Sequence, residues 1–99
     1  MKIYVRANSD YFNDIKLFMD ANFDAIANLC KKCGYHAYDD YKKGDSGYYF
    51  DISEEPVKYV DPDKLDTSLT RFFRKNGYRI TMYPKNNPVL GGFRVVVTS

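Results

Sequence analysis

The chain has 99 residues and a net charge of +2, with 44% hydrophobic and 28% charged residues. That suits one packed core and excludes a disordered polymer or two full domains, so residues 1–99 are expected to form a single α+β domain. The charge is divided: residues 1–66 hold all 13 acids beside nine Lys and Arg, while residues 67–99 hold six bases and no acid.

A basic third of this kind points to a polyanionic partner. No apolar run approaches the ~18 residues of a membrane span. The start, Met1-Lys2-Ile3-Tyr4-Val5-Arg6, is interrupted by charge too early for a secretory signal. Two cysteines without an export signal imply a reduced, cytoplasmic setting.

In chain order, Lys2 to Ala7 alternates, with Ile3 and Val5 on one side and Tyr4 and Arg6 on the other, the pattern of a half-buried strand. Asn8-Ser9-Asp10 offers helix caps. Phe12, Ile15, Met19, Phe23, Ile26, Cys30 and Cys33 then recur at helical spacing, with Gly34 as the stop and Asn22 as a possible break. Residues 35–53 read as a hairpin turned by the polar run Asp39 to Gly47. Asp61-Pro62 starts a second helix whose buried stripe is Leu65, Leu69, Phe72 and Phe73, ended by Asn76-Gly77. Tyr78 to Tyr83 and Phe93 to Thr98 are the last strands. No internal repeat, linker or low-complexity segment is visible.

The resulting order, β-α-β-β-α-β plus a C-terminal strand, predicts a ferredoxin-like two-layer sandwich, an antiparallel sheet with two helices on one face. Ile3-Tyr4-Val5-Arg6-Ala7-Asn8 resembles the first-strand motif of RNA recognition motif domains, a family with the same β-α-β-β-α-β order. The resemblance covers these six residues and implies fold alone. Gly47 to Ile52 does not repeat that family's third-strand pattern.

Alternation also assigns an outward sheet face: Tyr4, Arg6, Tyr49, Asp51, Arg79, Thr81, Tyr83, Arg94 and Val96. Arginines interleaved with tyrosines suit a single-stranded nucleic acid, guanidinium to phosphate and ring to base. On the second helix, Lys64, Arg71, Arg74 and Lys75 lie opposite the buried stripe and could grip phosphates, with Lys85 beyond them. The expected contact residues are thus Arg71, Arg74, Lys75, Arg79, Arg94 and Lys85, with Tyr83, Tyr4 and Arg6, and the expected partner is nucleic acid or a nucleoprotein.

Cys30-Lys31-Lys32-Cys33-Gly34-Tyr35-His36 contains a C-x-x-C-G element that could offer Cys30, Cys33 and His36 to a metal. Both cysteines fall on the apolar stripe, which favours a structural role, and no metal or other cofactor is expected. A single His, and no glycine-rich phosphate loop or nucleophile motif, argue against an enzyme.

Two other readings are open. The Tyr-rich acidic segment Tyr38–Tyr49 could contact a protein, and in size and texture the chain resembles the small inhibitors, anti-CRISPR proteins among them, that phages and mobile elements direct at host defence effectors. A homodimer could form by pairing the final strand, if that strand is a sheet edge.

Overall fold

The computed structural model of the chain describes residues 2–56, 59–85 and 91–99, with side chains from Asn13 onward. Its elements are α1 (Lys2–Lys32), β1 (Tyr35–Ala37), β2 (Lys42–Lys43), β3 (Tyr48–Glu54), α2 (Pro62–Lys75), β4 (Arg79–Lys85) and β5 (Gly92–Thr98). Among the described residues it is an α+β fold with two helices and a five-stranded antiparallel sheet of order β1-β3-β5-β4; β2 joins β3 on the rim it shares with β1. Among the described residues, no helix is long and apolar enough to cross a membrane.

The first expected strand is not there. Residues 2–7 are the start of α1, which runs unbroken past Asn22 to Lys32. The alternation of Ile3, Val5 and Ala7 misled because Tyr4, Ala7, Tyr11 and Ile15 also fit a spacing of three and four. No Gly or Pro separates them from the strong stripe downstream. Extending an existing helix is cheap once its nucleus is paid for, so the longer pattern wins. Without that strand the ferredoxin-like order is not confirmed; each helix instead leads directly into a hairpin.

The stripe of α1 buries Ile15, Met19, Ile26 and Cys30, and that of α2 buries Leu65, Leu69 and Phe73. Both meet the same sheet face, where Phe50 and Ile52 of β3 and Val95 and Val97 of β5 point inward. Ile80 and Met82 of β4 pack half-buried beside them, as alternation predicted. Asp61 caps α2, its Oδ1 accepting from the Lys64 backbone N–H at 3.0 Å, and Pro62 follows where no N–H is needed.

The chain also contains a repeat that identity hides. Lys31-Lys32-Cys33-Gly34-Tyr35 ends α1 and Arg74-Lys75-Asn76-Gly77-Tyr78 ends α2. In each, the glycine takes a positive φ (+88° and +90°) and its N–H returns 3.0 Å to the carbonyl three residues back. Two residues after Gly34, His36 pairs with Ser53 and Ala37 with Ile52; two after Gly77, Arg79 pairs with Thr98 and Ile80 with Val97. Two α-β-β units therefore share one register. Their second strands, β3 and β5, run antiparallel at the centre with Phe50 opposite Val95, which relates the units by a pseudo-two-fold axis through the sheet.

The two glycines make a matched test. A Cβ at Gly34 would lie 2.6 Å from the Tyr59 carbonyl oxygen, whereas one at Gly77 meets nothing within 4 Å. Gly77→Ala should cost only the left-handed backbone penalty, about 1–2 kcal/mol. Gly34→Ala should cost clearly more in chemical denaturation, because the Tyr59–Val60 backbone must also move.

Candidate nucleic-acid interface

The C-terminal end of α2 carries Arg71, Arg74 and Lys75 on its exposed side, because Leu65, Leu69 and Phe73 turn the opposite side into the core. Gly77 then reverses the chain so that Arg79, first in β4, returns beside Arg74. Thr70, Arg74, Gly77, Tyr78, Arg79 and Ile80 line one hollow of about 490 Å³. A second, of about 530 Å³, shares Thr70 and Arg74 and adds Asp66, Thr67, Arg71 and Lys75.

Among the described residues, no acid lies within ion-pair distance of Arg71, Arg74, Lys75 or Arg79. Asp66 is engaged as acceptor from the Thr70 hydroxyl at 3.1 Å. Lys64 lies in the first turn of α2, next to Asp61, and stands apart from this corner. The corner is braced from below: Phe18 of α1 lies 4.7 Å from the Tyr78 ring, whose hydroxyl donates to the Asp14 carbonyl at 3.4 Å.

Arg94 and Lys85 are differently placed. On the open face of the sheet, Asp51 accepts from Arg94 Nε at 2.9 Å and Nη2 at 3.2 Å, and from Lys85 Nζ at 2.8 Å. The Arg94 guanidinium also covers the Tyr49 ring, 4.4 Å from its centroid. One carboxylate thus holds two cations, and Tyr49 offers no free ring. Tyr83, opposite Arg94 in register, remains 53% exposed. Tyr4 and Arg6 belong to α1, so neither lies in the strand that was expected to carry them onto the sheet.

No protein-family model, curated protein or solved structure matches the chain.

Hydrogen bonds from Arg94, joined by those from Lys85, hold the Asp51 carboxyl below its ordinary 3.8, against the opposing effect of burial. The folded state has the lower pKa. The triad's stabilisation is therefore complete above about pH 5 and disappears as pH falls through the folded value. Thermal melts between about pH 5 and pH 2 should show a larger loss in the wild type than in Asp51→Asn.

The cysteine element does not converge on a metal site. Cys30 and Cys33 are buried in the core, while strand alternation turns His36 to the opposite, open face, where its ring meets Tyr38 at 4.6 Å. Burial, aided by Cys33, pushes the Cys30 thiol up to about 12, so it stays protonated at neutral pH. The tyrosines of Tyr38–Tyr49 also divide: Tyr41 and Tyr48 pack against the core, and Tyr38 is exposed with its hydroxyl 3.0 Å from Ser53 Oγ. The final strand is no edge, since β5 is paired on both sides by β3 and β4, which removes strand-edge dimerisation through it.

Sequence reasoning found Arg71, Arg74, Lys75 and Arg79 but not their convergence, nor Thr67 and Thr70 beside them. It also passed over Lys31 and Lys32. The shared Lys/Arg-Lys-x-Gly-Tyr run was the signal available for both.

Proposed function

We propose that this protein binds nucleic acid, alone or within a nucleoprotein, through the corner between the C-terminal end of α2 and the start of β4. The observation that carries the reading is the convergence of Arg71, Arg74, Lys75 and Arg79, unpaired among the described residues, on two adjoining hollows. Guanidinium groups supply planar two-point contacts to phosphate, and Lys75 a point charge. Such contacts hold a backbone without reading sequence.

Fluorescence anisotropy with labelled oligonucleotides tests it. Four phosphate contacts predict a log–log salt slope near −3.6 for duplex, or about a 100-fold loss of affinity between 50 and 200 mM salt. No binding at the lower salt would retire the reading and direct attention to protein partners.

A further inference from the structure

We propose that the open face of the sheet docks on duplex nucleic acid, with the two pseudo-symmetric corners gripping its two backbones. This rests on the nucleic-acid reading above and names the ligand class. The first corner is Arg74, Lys75 and Arg79. Its mate under the pseudo-two-fold is Lys31, Lys32 and His36, all exposed. Lys31 and Lys32 have no ion-pair partner among the described residues.

Three observations point this way. First, the face between the corners is rich in cations. Register places Lys42 beside Tyr49, Arg94 beside Asp51, and Arg79, Thr81, Tyr83 and Lys85 along β4, so four strand cations look outward. Asp51, which Arg94 and Lys85 hold, faces them, with Asp40 lining the hollow beside Asp51 and Lys85. The helices occupy the other face, and this one carries no layer of its own among the described residues.

Second, the spacing suits two backbones. His36 and Arg79 stand on strands three intervals apart, about 14 Å, and some six residues apart along them, about 20 Å. The diagonal of about 24 Å exceeds the ~12 Å width of a major groove, so the two corners reach past its walls to the phosphates on both sides. The strands of a duplex are themselves related by local two-fold axes, which a two-fold protein surface mirrors.

Third, the face lacks a stacking ladder. Tyr49 lies under Arg94, Tyr38 is tied by Ser53 and His36, and Tyr41 and Tyr48 turn inward. Tyr83 is the ring left open on β4. A single strand draws much of its affinity from successive stacked bases, and one ring does not supply it.

The test compares a duplex of about 20 base pairs with a single strand of equal length by anisotropy across a salt series. The probe proteins are wild type, Lys31→Ala/Lys32→Ala and Arg74→Ala/Arg79→Ala, with melting curves to confirm folding. All four replaced side chains are exposed, so folding is retained. The expected result is tighter binding of duplex by the wild type. Lys31→Ala/Lys32→Ala should weaken duplex binding about tenfold and reduce the salt slope by about two, with single-strand affinity unchanged. If that variant binds duplex like the wild type while Arg74→Ala/Arg79→Ala loses binding, the two-corner dock is wrong and the single-corner function stands. Preference for single strand also overturns it. Failure of the wild type to bind either probe removes the underlying reading as well.

Discussion

Arg74→Ala combined with Arg79→Ala is expected to weaken nucleic-acid binding about 100-fold, the loss of two charge-assisted contacts of about 1.5 kcal/mol each. It should also lower the salt slope by about two. Arg74 and Arg79 line the same hollow, so one phosphate can meet both guanidinium groups, and no neighbouring acid among the described residues compensates them. Arg94→Ala is the informative contrast. Its charge is already held by Asp51, and Lys85 remains on the same carboxylate after the change, so the net charge of that cluster moves only from +1 to neutral. Its effect on binding should stay below tenfold. Anisotropy at 50 and 150 mM salt separates the two variants. A loss confined to Arg94→Ala would place the ligand on the Arg94 cluster and not at the α2–β4 corner. Both arginines at the corner are exposed, so their removal should leave the melting temperature near that of the wild type.

Much of the fold was legible because the helix and hairpin signals were local. Asp61-Pro62 and Asn76-Gly77 marked both ends of α2, and the period of Leu65, Leu69 and Phe73 chose its buried side. Alternation put Tyr49, Asp51, Arg94 and Val96 on the outward face, which leaves Phe50, Ile52, Val95 and Val97 for the core, and the structure buries all four. Residues 2–7 were misread because a six-residue alternation is also compatible with a helix face, and only the uninterrupted chain to Ile15 decides between them.

The order β1-β3-β5-β4 was beyond the sequence for another reason. Pairing β3 with β5 depends on contacts between residues 39 to 49 apart, which no local pattern encodes. The same distance hides the candidate site. The basic residues were visible one by one, but Asp51 and Arg94 meet only across the β3–β5 ladder, and Arg74 meets Arg79 only because Gly77 turns the chain. The repeat escaped notice because register and turn geometry preserve it while side chains do not: Cys30 stands where Phe73 does, and Cys33 where Asn76 does.

Phe73→Ala should produce the largest loss of stability of any change considered, about 3–5 kcal/mol. The ring is fully buried and lies 5.7 Å from both Phe18 and Phe72, so it joins α1 to α2 at the centre of the core. A domain of this size is held by about 5–15 kcal/mol in all, so the variant would lose a large share of its stability, with a melting temperature lower by roughly 20 °C. Phe72→Ala, half-buried one position along, should cost markedly less. The comparison bears on function because Phe73 directly precedes Arg74. Anchoring that ring fixes the rotation of α2 about its axis, and that rotation decides whether Arg71, Arg74 and Lys75 face the hollows or the core. Phe73→Leu keeps the position apolar and should recover much of the stability. If it melts like the wild type yet binds nucleic acid less tightly, the ring's shape sets the pose of the basic corner. If Phe73→Ala melts within a few degrees of the wild type, α2 is not anchored by this residue and the packing of the two helices described above is wrong.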